Sequence, residues 1–169
     1  MDYIIPINDL KEGRHQYNFD VDNSFFDSFP ESELKQCTAH VEVELIKRSN
    51  GIEALFNLAG TVTVTCDRCL GEFSMPISNS GHLLFEPGDE PGEVTDELVV
   101  IARNESHLDL KQYIYEFISL AVPYQKYHPL DANGNSTCAP DMIARLEHMQ
   151  PSAGQTTDPR WNKLKDLIN

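Results

Sequence analysis

Cysteine is scarce in this chain, with four in 169 residues, and tryptophan occurs once. Cations are also few: 13 Lys and Arg stand against 27 Asp and Glu, for a formal net charge of −14. That balance argues against a broad, non-specific grip on nucleic-acid phosphates, because such binding rests on cations displacing counterions. It favours solubility and basic partners. No apolar run approaches the roughly 20 residues that span a bilayer. The N-terminus, M-D-Y-I-I-P-I-N-D-L, lacks the basic and apolar regions of a signal peptide. The expected location is therefore the cytoplasm, where thiols stay reduced. A structural disulfide then suits the cysteines poorly, and metal binding or redox chemistry suits them better.

Hydrophobic residues make up 40% and charged residues 24% of the chain, as in soluble globular proteins. The length points to one domain over residues 1–169 with a sizeable core. Alternation of apolar and polar residues predicts strands at 16–21 and 38–65, short apolar runs predict strands at 3–7 and 98–102, and 72–85 reads as a further extended segment. Asn50-Gly51 marks a hairpin inside 38–65. Gly60 suggests a bulge or bend, and 79–81 suggests an interruption. Residues 22–29 read as a short helical piece behind an Asp22 or Asn23 cap, carrying Phe25, Phe26 and Phe29 into the core. Residues 86–97, rich in Pro, Gly, Asp and Glu, read as an acidic loop.

The period then changes. Leu110, Ile114, Phe117, Ile118 and Ala121 recur at helical spacing behind Asp109, and Pro123 ends the pattern. A second helix is expected from Pro140, with Met142, Ile143, Leu146 and Met149 on one face. Residues 151–169 form a linker and a last helix with Trp161, Leu164, Leu167 and Ile168 on one face. Strands first and helices last predict an α+β fold. Its centre would be a mainly antiparallel sheet or partial barrel, with C-terminal helices packed on it and a metal-knuckle turn.

Cys66 and Cys69 stand two residues apart in V-T-C-D-R-C-L-G-E-F, residues 64–73. A thioredoxin-like pair sits at a helix N-terminus, whereas this pair lies between two extended segments. Strand–turn–strand C-x-x-C is the shape of a zinc knuckle, in which Gly71 would ease the tight backbone. Structural zinc takes four donors, so two more are required. Cys138, in a loop before a helix, and His128, ten positions earlier, complete a set of Cys66, Cys69, His128 and Cys138. Such a set closes the coordination sphere and is structural rather than catalytic. The alternatives are a thiol oxidoreductase using the C-x-x-C pair, or cysteines that simply pack as small hydrophobes. Cys37 reads as core, with replacement of a ligand as its alternative role. The other histidines read as structural or surface residues.

The order C-D-R-C-L-G-E-F, D-E-L-V-V-I, H-L-D-L-K-Q-Y-I-Y-E-F-I-S-L-A-V-P, His128-Pro129, Cys138 and D-P-R-W-N-K-L-K-D-L resembles the YceD-like family, the large ribosomal RNA subunit accumulation proteins. The resemblance runs roughly from Gly13 to the end. It implies a non-enzymatic factor of ribosome biogenesis that supports accumulation of large-subunit ribosomal RNA. Family members carry thiols and a histidine after the L-A-x-P helix, which supports the zinc set. This chain has fewer cysteines there than its relatives, so the fourth donor falls to His128 or a substitute. Ribosomal or ribosome-assembly proteins are the implied partners, and any contact with ribosomal RNA is indirect. Glu116 matches an acidic position of the family helix and is a candidate partner contact. Trp161, flanked by Arg160 and Lys163, is another.

Overall fold

Alternating side chains build close to half of the described backbone into strands. The computed structural model describes residues 3–34 and 36–149. Two compact units emerge, one of Met1–Thr65 and Glu72–Lys126, the other of Cys66–Gly71 and Tyr127–Asn169.

The first unit holds eight described strands: β1 (Ile4–Pro6), β2 (Gly13–Val21), β3 (Cys37–Arg48), β4 (Gly51–Thr65), β5 (Glu72–Gly88), β6 (Gly92–Thr95), β7 (Leu98–Ala102) and β8 (His107–Asp109). It also holds helices α1 (Asn23–Phe26) and α2 (Lys111–Ala121). Six strands form one sheet in the order β2-β3-β4-β5-β7-β6. β2 to β5 are antiparallel neighbours, and β7 runs parallel to β5. β2 and β6 remain separate edges, so the sheet is open and no barrel closes.

Period two decides which face is buried. In β3, Ala39, Val41, Val43 and Leu45 face inward, while Thr38, His40, Glu42 and Glu44 point away. On β4, Ala54, Phe56, Leu58 and Val62 continue the buried face. Each fully buried aliphatic side chain contributes roughly 1.5–3 kcal/mol. The inward face carries α2, whose Ile114 and Ile118 are fully buried. Phe117 of α2 meets Phe56 at 4.8 Å between ring centroids, and Tyr113 meets Phe85 at 5.5 Å.

The short helix α1 follows its sequence cues. Asp22 caps it by accepting from the Ser24 N–H at 2.9 Å. Phe25 and Phe26 are buried, and the Phe25 ring lies 4.9 Å from that of Tyr3. These aromatics are core. Asp109 accepts from the Lys111 N–H at 2.9 Å, which satisfies one free donor of the first turn of α2.

Three details differ from the sequence expectations. Gly60 makes no bulge, because β3 and β4 keep one register through the Ala39–Gly60 pair. A Cβ there would sit 2.7 Å from the Ala39 Cα and closer still to the Thr38 carbonyl oxygen. The glycine permits close backbone approach. Gly81 likewise does not interrupt β5. A Cβ there would strike the Phe117 ring, so its absence seats α2 on the sheet.

The acidic stretch 86–97 is largely strand, comprising the end of β5 and all of β6. The aliphatic run of β7 needs an interior place, and β6, with all four residues exposed, takes the edge beside it. β8 carries no sequence signal of its own, being three residues long. It pairs with β1 through Ile5 and Leu108, and both residues are buried.

In the second unit, residues 66–71 form a tight turn, 127–139 an irregular loop, and α3 (Pro140–Met149) a helix with no buried residue. Asp131 organises the loop by accepting from the N–H groups of Asn133 and Asn135, each at 2.8 Å. The Asn135 backbone N–H, and after it the Asn135 side-chain amide, hold the Asp131 carboxyl below its usual range, with the Asn133 N–H adding less.

Candidate metal centre

The Thr65–Glu72 pair closes the β4–β5 ladder and leaves six residues to turn the chain. Inside that turn the Cys66 N–H donates to the Gly71 carbonyl and the Leu70 N–H to the Cys66 carbonyl, both at 2.9 Å. The fold-back brings the Arg68 N–H to 3.4 Å from the Cys66 Sγ. Leu70, not Gly71, takes the left-handed conformation, at φ 59°. Gly71 is instead a close neighbour of the donors, since a Cβ on it would lie 3.5 Å from the Cys69 Sγ and 3.6 Å from the His128 Cε1.

The loop supplies the other two donors. Leu130 and Ser136 form an isolated bridge, and the Thr137 hydroxyl donates to the Pro129 carbonyl at 2.7 Å. These bonds fold Cys138 back toward His128. The His128 Nδ1 lies 3.4 Å from the Cys69 Sγ and 3.7 Å from the Cys138 Sγ. The Cys66 and Cys138 sulfurs are 3.8 Å apart. All four donor atoms lie within 4.8 Å of one another, and the three cysteines are buried.

The three shortest of these spacings match edges of a coordination tetrahedron. With metal–sulfur bonds near 2.3 Å and metal–nitrogen bonds near 2.0 to 2.1 Å, sulfur–sulfur edges come to about 3.8 Å and sulfur–nitrogen edges to about 3.6 Å. A soft donor set of three thiols and one imidazole suits a borderline-soft divalent ion.

The thiols differ in acidity. Burial pushes Cys66 up, but N–H groups of Cys69 and Arg68, together with His128, outweigh it and bring the thiol down to about 6. A Ser136 hydrogen bond lowers Cys138, yet burial and the Cys66 and Cys69 sulfurs prevail and raise it. Cys66 therefore gives up its proton before Cys138. Cys37, buried in the sheet core, is pushed up to about 11 by burial and stands outside the cluster.

The other expected residues fall elsewhere. Glu116 lies on α2 and accepts from the Gln112 side chain at 2.7 Å. Arg160, Trp161 and Lys163 lie outside the described residues, as does the expected helix of 151–169. His40 pairs with Asp20 at 2.8 Å and His82 with Glu97 at 3.4 Å, both at the surface. Sequence reasoning did not single out Arg68 and Tyr127. Their positions, inside the C-x-x-C and directly before His128, were the available signal.

Comparison with known proteins adds the family. No curated protein and no solved structure gives a significant match. A family model described as Large ribosomal RNA subunit accumulation protein YceD matches residues 55–168, a span that contains all four donors. Since that match covers well over half of the 169 residues, the chain belongs to the YceD family.

Proposed function

We propose that this chain is a non-enzymatic, cytoplasmic factor of ribosome biogenesis that supports accumulation of large-subunit ribosomal RNA, and that Cys66, Cys69, His128 and Cys138 hold a structural zinc ion. The observation that carries the zinc reading is the tetrahedral spacing of the four donors. The family description carries the ribosomal one.

Four protein donors leave no open position for water or substrate, which makes the ion structural. When bound it would supply cross-linking energy between the knuckle and the loop, and folding energy for the unit that contains them. The chain's own residues prepare the site. The Arg68 N–H stabilises the Cys66 sulfur, and the loop bonds to Asp131 and Thr137 hold His128 and Cys138 near it.

The partners in this reading are basic ribosomal or ribosome-assembly proteins, with contact to ribosomal RNA made through them. A net charge of −14 favours such surfaces and repels bare phosphate. Glu116, Arg160, Trp161 and Lys163 are the proposed partner contacts. No helix among the described residues is long and apolar enough to cross a membrane.

The test is fractionation. The protein should travel with large-subunit precursors at moderate salt and leave them as salt rises. Absence from every precursor fraction overturns the ribosomal reading. A thiol oxidoreductase is the competing reading; a lowered Cys66 thiol is the observation in its favour. Stoichiometric zinc in the purified protein, with thiols silent to alkylation until chelation, rules it out.

A further inference from the structure

The four donors come from two chain segments, and Cys69 and His128 are 59 residues apart. A metal ion holds such segments together once bound. Before it arrives, something else must bring them within reach, or ordering them costs affinity. A contact suited to that task is present between described residues. The Arg68 guanidinium lies over the Tyr127 ring, 5.1 Å from its centroid.

Both partners adjoin donors. Arg68 sits between Cys66 and Cys69, and its own N–H reaches the Cys66 Sγ at 3.4 Å. Tyr127 directly precedes His128, whose Nδ1 faces two of the sulfurs. A single side-chain contact therefore links the backbone that stabilises one thiolate to the backbone that aims the imidazole.

We propose that Arg68 and Tyr127 form a cation–π clasp that sets the knuckle and the His128 loop at ligating distance, making both of them positioning residues of the metal centre. Neither side chain is a ligand. The clasp acts by holding donors that would otherwise have to be gathered by the ion itself. It rests on the structural-metal reading above.

A cation–π contact at an exposed site contributes about 0.5–1 kcal/mol, or roughly a 2- to 5-fold change in affinity. The tyrosine hydroxyl has no part in it, so ring and hydroxyl can be separated by substitution. The test titrates the metal-free chain with Co²⁺ against a chelator, following the thiolate-to-cobalt and d–d absorption bands.

Tyr127→Phe keeps the ring and should bind like the parent. Tyr127→Leu should bind roughly 2- to 5-fold more weakly. Arg68→Gln should weaken binding by a similar factor, and it also serves if Tyr127→Leu does not fold, because Arg68 is exposed. The double variant should bind no more weakly than the poorer single one, since either change opens the clasp. The tetrahedral band shape should persist throughout, because the donors are unchanged.

Parent-like affinity of Arg68→Gln or Tyr127→Leu overturns the clasp, as does additivity in the double variant or failure of Tyr127→Phe to preserve binding. Failure of the parent chain itself to bind Co²⁺ is a different result. It overturns the metal reading, and the clasp with it.

Discussion

The Cys66 and Cys138 sulfurs lie 3.8 Å apart although 72 residues separate them in the chain. The second unit therefore depends on atoms that local structure cannot bring together. Removing one of them has a definite consequence. Cys66→Ser, or chelation of the parent, should weaken amide protection in 66–71 and 127–149 without abolishing it, because metal binding energy is folding energy. The buried amides of β3 and β4 should keep theirs, since that core is complete without the donors. Hydrogen exchange read by mass spectrometry distinguishes the two regions. An unchanged pattern after Cys66→Ser contradicts a structural ion.

Acid should act on the same cluster. The Cys66 thiol stands at about 6 in the folded chain against an ordinary value of 9.0. A depressed value means that the unfolded state binds the proton more tightly, so stability from this group is complete above 9.0 and lost as pH falls through about 6. Alkylation of the metal-free protein should show Cys66 reacting with a midpoint near 6, while Cys37, at about 11, stays silent at neutral pH. Peptide mapping of the labelled sites checks both. Co²⁺ uptake should decline across the same acid window, because protons and metal compete for sulfur.

Leu70 predicts a stabilising change. It is 69% exposed and holds φ 59°, a region that costs a non-glycine residue about 1–2 kcal/mol. Leu70→Gly relieves that strain and loses about 0.5–1 kcal/mol to the greater freedom of glycine in the unfolded chain. The expected net gain is about 0.5–1 kcal/mol, visible as a higher midpoint in thermal or denaturant unfolding. A lower midpoint would mean that the exposed leucine packs more than its accessibility implies.

The two sheet glycines should differ from each other. Gly60→Ala places a methyl against the β3 backbone, which cannot move without breaking the ladder, and should cost about 1–3 kcal/mol. Gly81→Ala meets the edge of the Phe117 ring, which can turn aside, and should cost less. Paired urea titrations give the order. Equal costs would show the ring to be as confined as the backbone.

Period two was legible wherever one face of a strand is buried, so β3 and β4 appear in the sequence nearly as they fold, and β7 was legible as a short continuous apolar run. The helical spacing of Leu110, Ile114 and Ile118 was legible for the same reason, and so was the Asp22 cap, whose bond spans two residues. The glycines were visible as exceptions, but their cause was not. A bulge and a close approach leave the same mark on a strand, and only the positions of Ala39 and Phe117 separate them. β6 and β8 were hidden because a strand of three or four residues draws its stability from its neighbour.

The candidate site divides along the same line. Sequence alone determined the donor chemistry: three thiols and an imidazole, two of the thiols within one turn, in a chain with a formal net charge of −14. Tertiary structure decided the rest, because distance between remote residues is a property of the packed chain. It brought Cys138 and His128 to the knuckle and left Cys37 in the sheet core. It also gave the left-handed turn to Leu70 rather than Gly71, and laid Arg68 across Tyr127.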